Sequence, residues 1–141
     1  MIALNPNHAP AYQSMGNNYY NLGRYEEALS SYKRAMQLDP GMRDAVLMRS
    51  TCEIYTGNAE AAIPYLEGLL KKDAGFTPAM AALAAAYFCL GQKDKGMEQA
   101  KKLKEMNFAV SQYFSTMHKI LIAVQQHAYA ASLQQSVSEI I

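Results

Sequence analysis

Residues 9–42, APAYQSMGNNYYNLGRYEEALSSYKRAMQLDPGM, decide the fold. Their landmarks are Tyr12, Gly16, Tyr19, Gly23, Ala28, Tyr32, Ala35 and Pro40. The same positions return 34 residues on, approximately, as Val46, Ser50, Glu53, Gly57, Ala62, Leu66, Leu69 and Ala74. Another step of 34 gives Met80, Ala84, Tyr87, Gly91, Gly96, Ala100, Leu103 and Phe108. A fixed period of that length means stacked supersecondary units, each burying its apolar face against its neighbours.

Each unit reads as two antiparallel helices. Residues 9–22 form the first, ended by Gly23, which takes the left-handed conformation at no steric cost. Residues 25–38 form the second, with Glu26 and Glu27 in the first turn and Pro40 stopping it. Ala28, Tyr32 and Ala35 share one buried stripe. In the third unit, Thr77 is expected to cap a helix with Pro78 at its first position, and Gly91 to end that helix.

These residues resemble the tetratricopeptide repeat family. The large residue, small pair, aromatic, Ala, aromatic, Ala and Pro of that pattern stand here as Tyr12, Met15-Gly16, Tyr19, Ala28, Tyr32, Ala35 and Pro40. The resemblance is close over residues 3–108, and the rest matches only in phase. It implies an all-α, right-handed superhelix of antiparallel helix pairs. The expected divisions are 9–42, 43–76 and 77–110, with 111–141 a degenerate fourth repeat or capping helices. Ala3, Leu4, Asn5 and Pro6 match Gln37, Leu38, Asp39 and Pro40, so residues 1–8 read as the end of a preceding truncated repeat. Residues 111–125 have a helical pattern, with Phe114, Met117, Leu121 and Val124 on one stripe. Gln125 and Gln126 replace the turn glycine. A last helix follows from 127, with Ala130, Leu133 and Val137 inward and Ile140 and Ile141 at its poorly capped end.

In this family the first helix of each pair lines a concave groove. Carried over by phase, the groove residues are Gln13, Asn17, Tyr20 and Asn21, then Leu47, Thr51, Ile54 and Tyr55, then Ala81, Ala85, Phe88 and Cys89. Ser115, Lys119 and Ile122 follow, with Met48 at the rim. Leu47, Ile54, Tyr55 and Phe88 supply contact area and the two alanines leave room. Both a partner peptide or helix and a helix of the same protein suit such a groove. Some family members hold the terminal carboxylate of chaperone tails with lysines, an arginine and asparagines. Asn17 matches one of them, but Gln13, Met48, Pro78 and Ala82 stand where the others belong. A carboxylate needs those fixed donors, so that clamp is absent.

The second unit departs from the pattern. Arg49, Glu53 and Thr56 stand where its neighbours have Met15, Tyr19 and Leu22, or Leu83, Tyr87 and Leu90. Arg49 and Glu53 are four apart and pair, either as a partly buried substitute for core or as a polar contact for a partner. Pro64 falls inside that unit's second helix and with Gly68 is expected to kink it, either as drift or as a bend that sets curvature. Lys93, Lys95, Lys101, Lys102 and Lys104 read as a solvated face, being interspersed with Asp94, Glu98 and Glu105, with a surface for an anionic partner as the alternative.

The totals exclude several classes. The 141-residue chain carries a net charge of +1, without the basic excess of a nucleic acid binder. No stretch is long and apolar enough to span a membrane. Cys52 and Cys89 are isolated and read as buried, reduced thiols, which points to a cytoplasmic setting. His8, His118 and His127 have no metal-ligand spacing, and no nucleophile elbow or phosphate loop occurs. The expectation is a non-enzymatic scaffold that binds a protein or peptide, without metal or cofactor. The alternatives are an accessory domain of a larger enzyme such as a transferase, and a segment that self-associates through its terminal faces.

Overall fold

Four turns of one design shape the molecule. In the first, the N–H of Arg24 donates to the carbonyl of Tyr19 at 2.9 Å and that of Gly23 to Tyr20 at 3.0 Å. This is a Schellman motif, with the residue after the helix in the left-handed region. It recurs at Gly57 and Asn58, and again at Gly91 and Gln92. The three glycines have φ of 78°, 89° and 76°. The fourth turn makes the same two bonds, Gln126 to Leu121 and Gln125 to Ile122, but its left-handed residue is Gln125, at φ 64°.

The computed structural model describes residues 8–106 and 109–137. The remnant expected at the start (but for His8), Phe108, the side chain of Val137 and the pair Ile140–Ile141 lie outside the described residues. Among those described there are eight helices and no strand. They are α1 (Ala9–Asn21), α2 (Tyr25–Leu38), α3 (Arg43–Tyr55), α4 (Ala59–Lys72), α5 (Thr77–Cys89), α6 (Lys93–Glu105), α7 (Val110–Ala123) and α8 (His127–Val137). Successive antiparallel pairs stack, α2 on α3 and α4 on α5, giving an all-α solenoid. Between pairs the chain turns with equal regularity. Asp39 accepts the N–H of Gly41 at 3.1 Å, and Asp73 that of Gly75 at 3.2 Å. These are Asx turns, in which a short side chain stands in for backbone.

Small residues let paired helices meet. A Cβ on Gly16 would lie 2.6 Å from the ring of the fully buried Tyr32, and one on Gly96 would strike Phe88. One local expectation needs correction. Thr77 does not cap α5: it is the first helical residue, Phe76 holds the cap position, and no side-chain bond is made there. Pro64 lies inside α4, as its position in the sequence implies, and the helix runs from Ala59 to Lys72. It sits exposed near the helix start.

The core gathers around α5. Every residue from Ala79 to Cys89 is buried, because α3, α4, α6 and the α7–α8 hairpin all pack on this helix. The hairpin also departs from the stack: α8 lies along α5, and α7 touches α6 only slightly. The Ser132 hydroxyl donates to the Phe88 carbonyl at 2.6 Å. Tyr129 reaches the turn between α3 and α4, donating to the Gly57 carbonyl at 2.9 Å and accepting the Ala59 N–H at 3.2 Å.

Candidate functional site

The expected groove is open in one half and filled in the other. On α1, Gln13 and Tyr20 are half-buried, and Asn17 and Asn21 are exposed. Asn17 accepts the Tyr32 hydroxyl at 2.5 Å, which ties it to its own helix pair. On α3, Leu47 is half-buried, but Thr51, Ile54 and Tyr55 are buried. Thr51 turns its hydroxyl back to the Leu47 carbonyl at 3.1 Å. Ala81, Ala85, Phe88 and Cys89 on α5 are all buried. These four are core, because neighbouring helices pack on α5 from several sides: Phe114 of α7 stacks edge-on against Phe88 with centroids 5.5 Å apart, and α8 lies along the same helix. Lys119 is exposed on α7 beside the likewise exposed Ser115 and Ile122.

What stays open is a cleft between α7 and the first two helix pairs. One cavity of about 350 Å³ has Tyr20 and Tyr55 on one wall and Gln112, Tyr113, Thr116 and Ile120 on the other. A second, of about 310 Å³, also has Tyr55 in its wall, with Tyr25, Val124 and Gln126. Three tyrosines form the floor between them. Tyr20 and Tyr25 meet edge-on at 5.2 Å, and Tyr25 and Tyr55 lie 4.7 Å apart.

Burial pushes the phenols of Tyr20, Tyr55 and Tyr113 above their ordinary value. A hydrogen bond between Tyr20 and Tyr55 opposes that shift at Tyr20 and adds to it at Tyr55. All three therefore stay protonated at neutral pH, presenting ring faces and hydroxyls rather than charge. Amphipathic rings of this kind suit recognition of a peptide. Tyr113, Thr116 and Ile120 were not legible as site residues, because an apolar stripe on α7 says nothing of which helix it will meet.

Among the described residues no group of three or more His, Cys, Asp or Glu is placed to hold a metal, and no helix is long and apolar enough to cross a membrane. Burial raises the Cys52 and Cys89 thiols to about 12, so neither is a thiolate near neutral pH.

Stacked helix pairs with a partly filled concave face define a helical repeat protein. Residues 9–42 match the family model described as tetratricopeptide repeat. Residues 9–42 thus carry a tetratricopeptide repeat, and the solenoid they begin shares the fold of tetratricopeptide repeat structures. Outer dynein arm-docking complex subunit 4 of Mus musculus is 26% identical over 82 residues, 58% of this chain and 13% of that protein. Protein O-mannosyl-transferase TMTC1 of Homo sapiens is 28% identical over 92 residues, 65% of this chain and 10% of that protein. The chain thus spans only about a tenth of the length of these relatives. A solved structure, the first such repeat region of Spaghetti (RPAP3) bound to the HSP90 peptide SRMEEVD, shares the fold. Its TM-score is 0.67 at 20% identity, over 86% of this chain and 99% of that one.

Proposed function

We propose that this chain is a protein-interaction module without chemistry of its own, and that it receives a peptide or helix in the cleft between α7 and the first two helix pairs. The carrying observation is the cavity that Tyr20 and Tyr55 line on one side and Gln112, Tyr113, Thr116 and Ile120 of α7 on the other. The hairpin has taken the other half of the groove, so a ligand enters here or displaces it. The walls of the first cavity carry no charged side chain, while Arg24, Glu26 and Glu27 border the second; such a mixed surface suits an amphipathic segment. A clamp on a terminal carboxylate is disfavoured: Gln13, Met48, Pro78 and Ala82 supply no cation where one is needed. Gln13, Asn17 and Asn21 extend the cleft as its polar end.

A second reading makes the chain an accessory, partner-holding part of a larger enzyme. The similarity to an O-mannosyl-transferase over a tenth of that protein's length favours it. The two readings share the cleft and differ in what is linked to it.

Peptides selected from a display library on the purified chain, then measured by fluorescence anisotropy, test the cleft. Gln112→Arg and Thr116→Arg, both at exposed positions of α7, are expected to weaken them about tenfold or more, as a block at a central contact does, while the thermal midpoint stays unchanged. No selected sequence, or equal affinity for both variants, overturns the reading.

A further inference from the structure

On the opposite face, two successive notches between helix pairs can be compared position by position. Each is bounded by the second helices of two neighbouring pairs and floored by the first helix of the later pair. In the first notch four residues close the space. Arg49 donates to Glu53 at 2.8 Å, its guanidinium lies 4.1 Å over the ring of Tyr65, and it reaches the sulfur of Met36 at 3.9 Å. Moving each by 34 residues gives Leu83, Tyr87, Gln99 and Leu70. None of these is charged, and the second notch remains an open cavity of about 370 Å³.

The rim changes as well. Where the first notch has Gln37 and Gly68, the second has Lys71 and Lys102. Both lysines line the cavity, both are exposed, and neither is in an ion pair among the described residues. Beneath them Leu70, Met80 and Leu83 make an apolar floor, and Gln99 and Tyr87 add donors. Glu67, one turn before Lys71, is the only acidic group of the lining.

We infer that this notch is a second binding site, for an acidic segment of a partner protein that seats one apolar side chain on Leu70, Met80 and Leu83 and sets its carboxylates against Lys71 and Lys102. Charge complementarity sets the occupant's sign: in the lining, two cations that make no ion pair among the described residues face one carboxylate. A cavity of this size accepts a single anchor side chain, not a helix face. The site is independent of the tyrosine cleft, being bounded by α4 and α6 rather than α7.

The test uses the full chain and a fluorescein-labelled hexapeptide, Glu-Asp-Leu-Phe-Asp-Glu, with its Gln/Asn counterpart as control. Saturable binding of the acidic peptide is expected, weakening about tenfold with either Lys71→Glu or Lys102→Glu, since each charged hydrogen bond supplies about such a factor. Glu67→Gln is expected to tighten it and Thr116→Arg to leave it unchanged. Leu83→Arg, Tyr87→Glu and Gln99→Tyr together rebuild the closed first notch and are expected to abolish it. Should that triple variant not fold, the surface lysine variants decide. Equal binding of the neutral peptide, indifference to the lysine changes, or no saturation below about 1 mM overturns the proposal.

Discussion

At the scale of single residues, the second unit carries the most informative departure. Glu53 occupies a position that is Tyr19 in one neighbour and Tyr87 in the other, and its side chain is 2% exposed. A carboxylate there persists because Arg49 bonds it and is itself stacked on Tyr65. Removing one partner strands the other charge, so Glu53→Gln is expected to destabilise by about 3 to 5 kcal/mol in urea unfolding. Arg49→Leu with Glu53→Tyr restores the next unit's residues and is expected to be neutral or to stabilise by about 1 to 4 kcal/mol. An equal loss in both variants would mean that packing, not charge, holds this face. The pairing itself was legible from the four-residue spacing. Its closure of a notch was not, because Tyr65 and Met36 belong to other helices.

Among the helices, two features separate what sequence could convey from what it could not. The turn after α7 follows the family geometry with Gln125 in the left-handed region, which costs a side chain roughly 1 to 2 kcal/mol. Gln125→Gly is expected to stabilise the hairpin by about 1 kcal/mol once the entropy of glycine is set against that strain. An unchanged or lower denaturation midpoint would place the strain elsewhere. The helix pairs were readable because Gly23, Gly57 and Gly91 punctuate them at 34-residue intervals, and α2 falls on residues 25–38 as its pattern implies. The groove on α5 failed for a reason also written in the chain. Residues 79–89 are apolar on nearly every side, and a helix of that composition is buried all round. Phase alone assigned Ala85 to an open wall; the hairpin's Phe114 stripe reads the same whether it meets α5 or α6. Ala85→Arg is therefore expected to unfold the protein or expel the hairpin, seen as a lost thermal transition or new protease sensitivity. A folded variant with an intact hairpin would return Ala85 to the groove.

Taken whole, the molecule is held by neutral burial, and that gives it a one-sided response to pH. Cys52 and Cys89 both lie in the core, and burial raises each thiol from the ordinary 9.0 to about 12. Glu53 adds to the shift at Cys52. The protonated thiol is the form the folded state prefers, so the folded chain binds more protons than the unfolded one between those values. Stability from these groups is complete below pH 9 and falls as pH rises through the folded values. Tyr32, Tyr55 and Tyr113 are raised by burial too and extend the loss above pH 10 in the same direction. Each such group steepens the decline by at most about 1.4 kcal/mol per pH unit. The thermal midpoint is thus expected to hold from pH 7 to 9 and then drop, with Cys52→Ala and Cys89→Ala together making the fall between pH 9 and 10 shallower, since in that window the thiols titrate before the phenols. Because Cys89 lies on α5, beneath the hairpin, its reaction with a thiol reagent at pH 8 reports how often the hairpin leaves the groove. Slow reaction that accelerates when a cleft-binding peptide is added would mean that the ligand displaces α7 and α8; an unaltered rate would mean that it binds beside them.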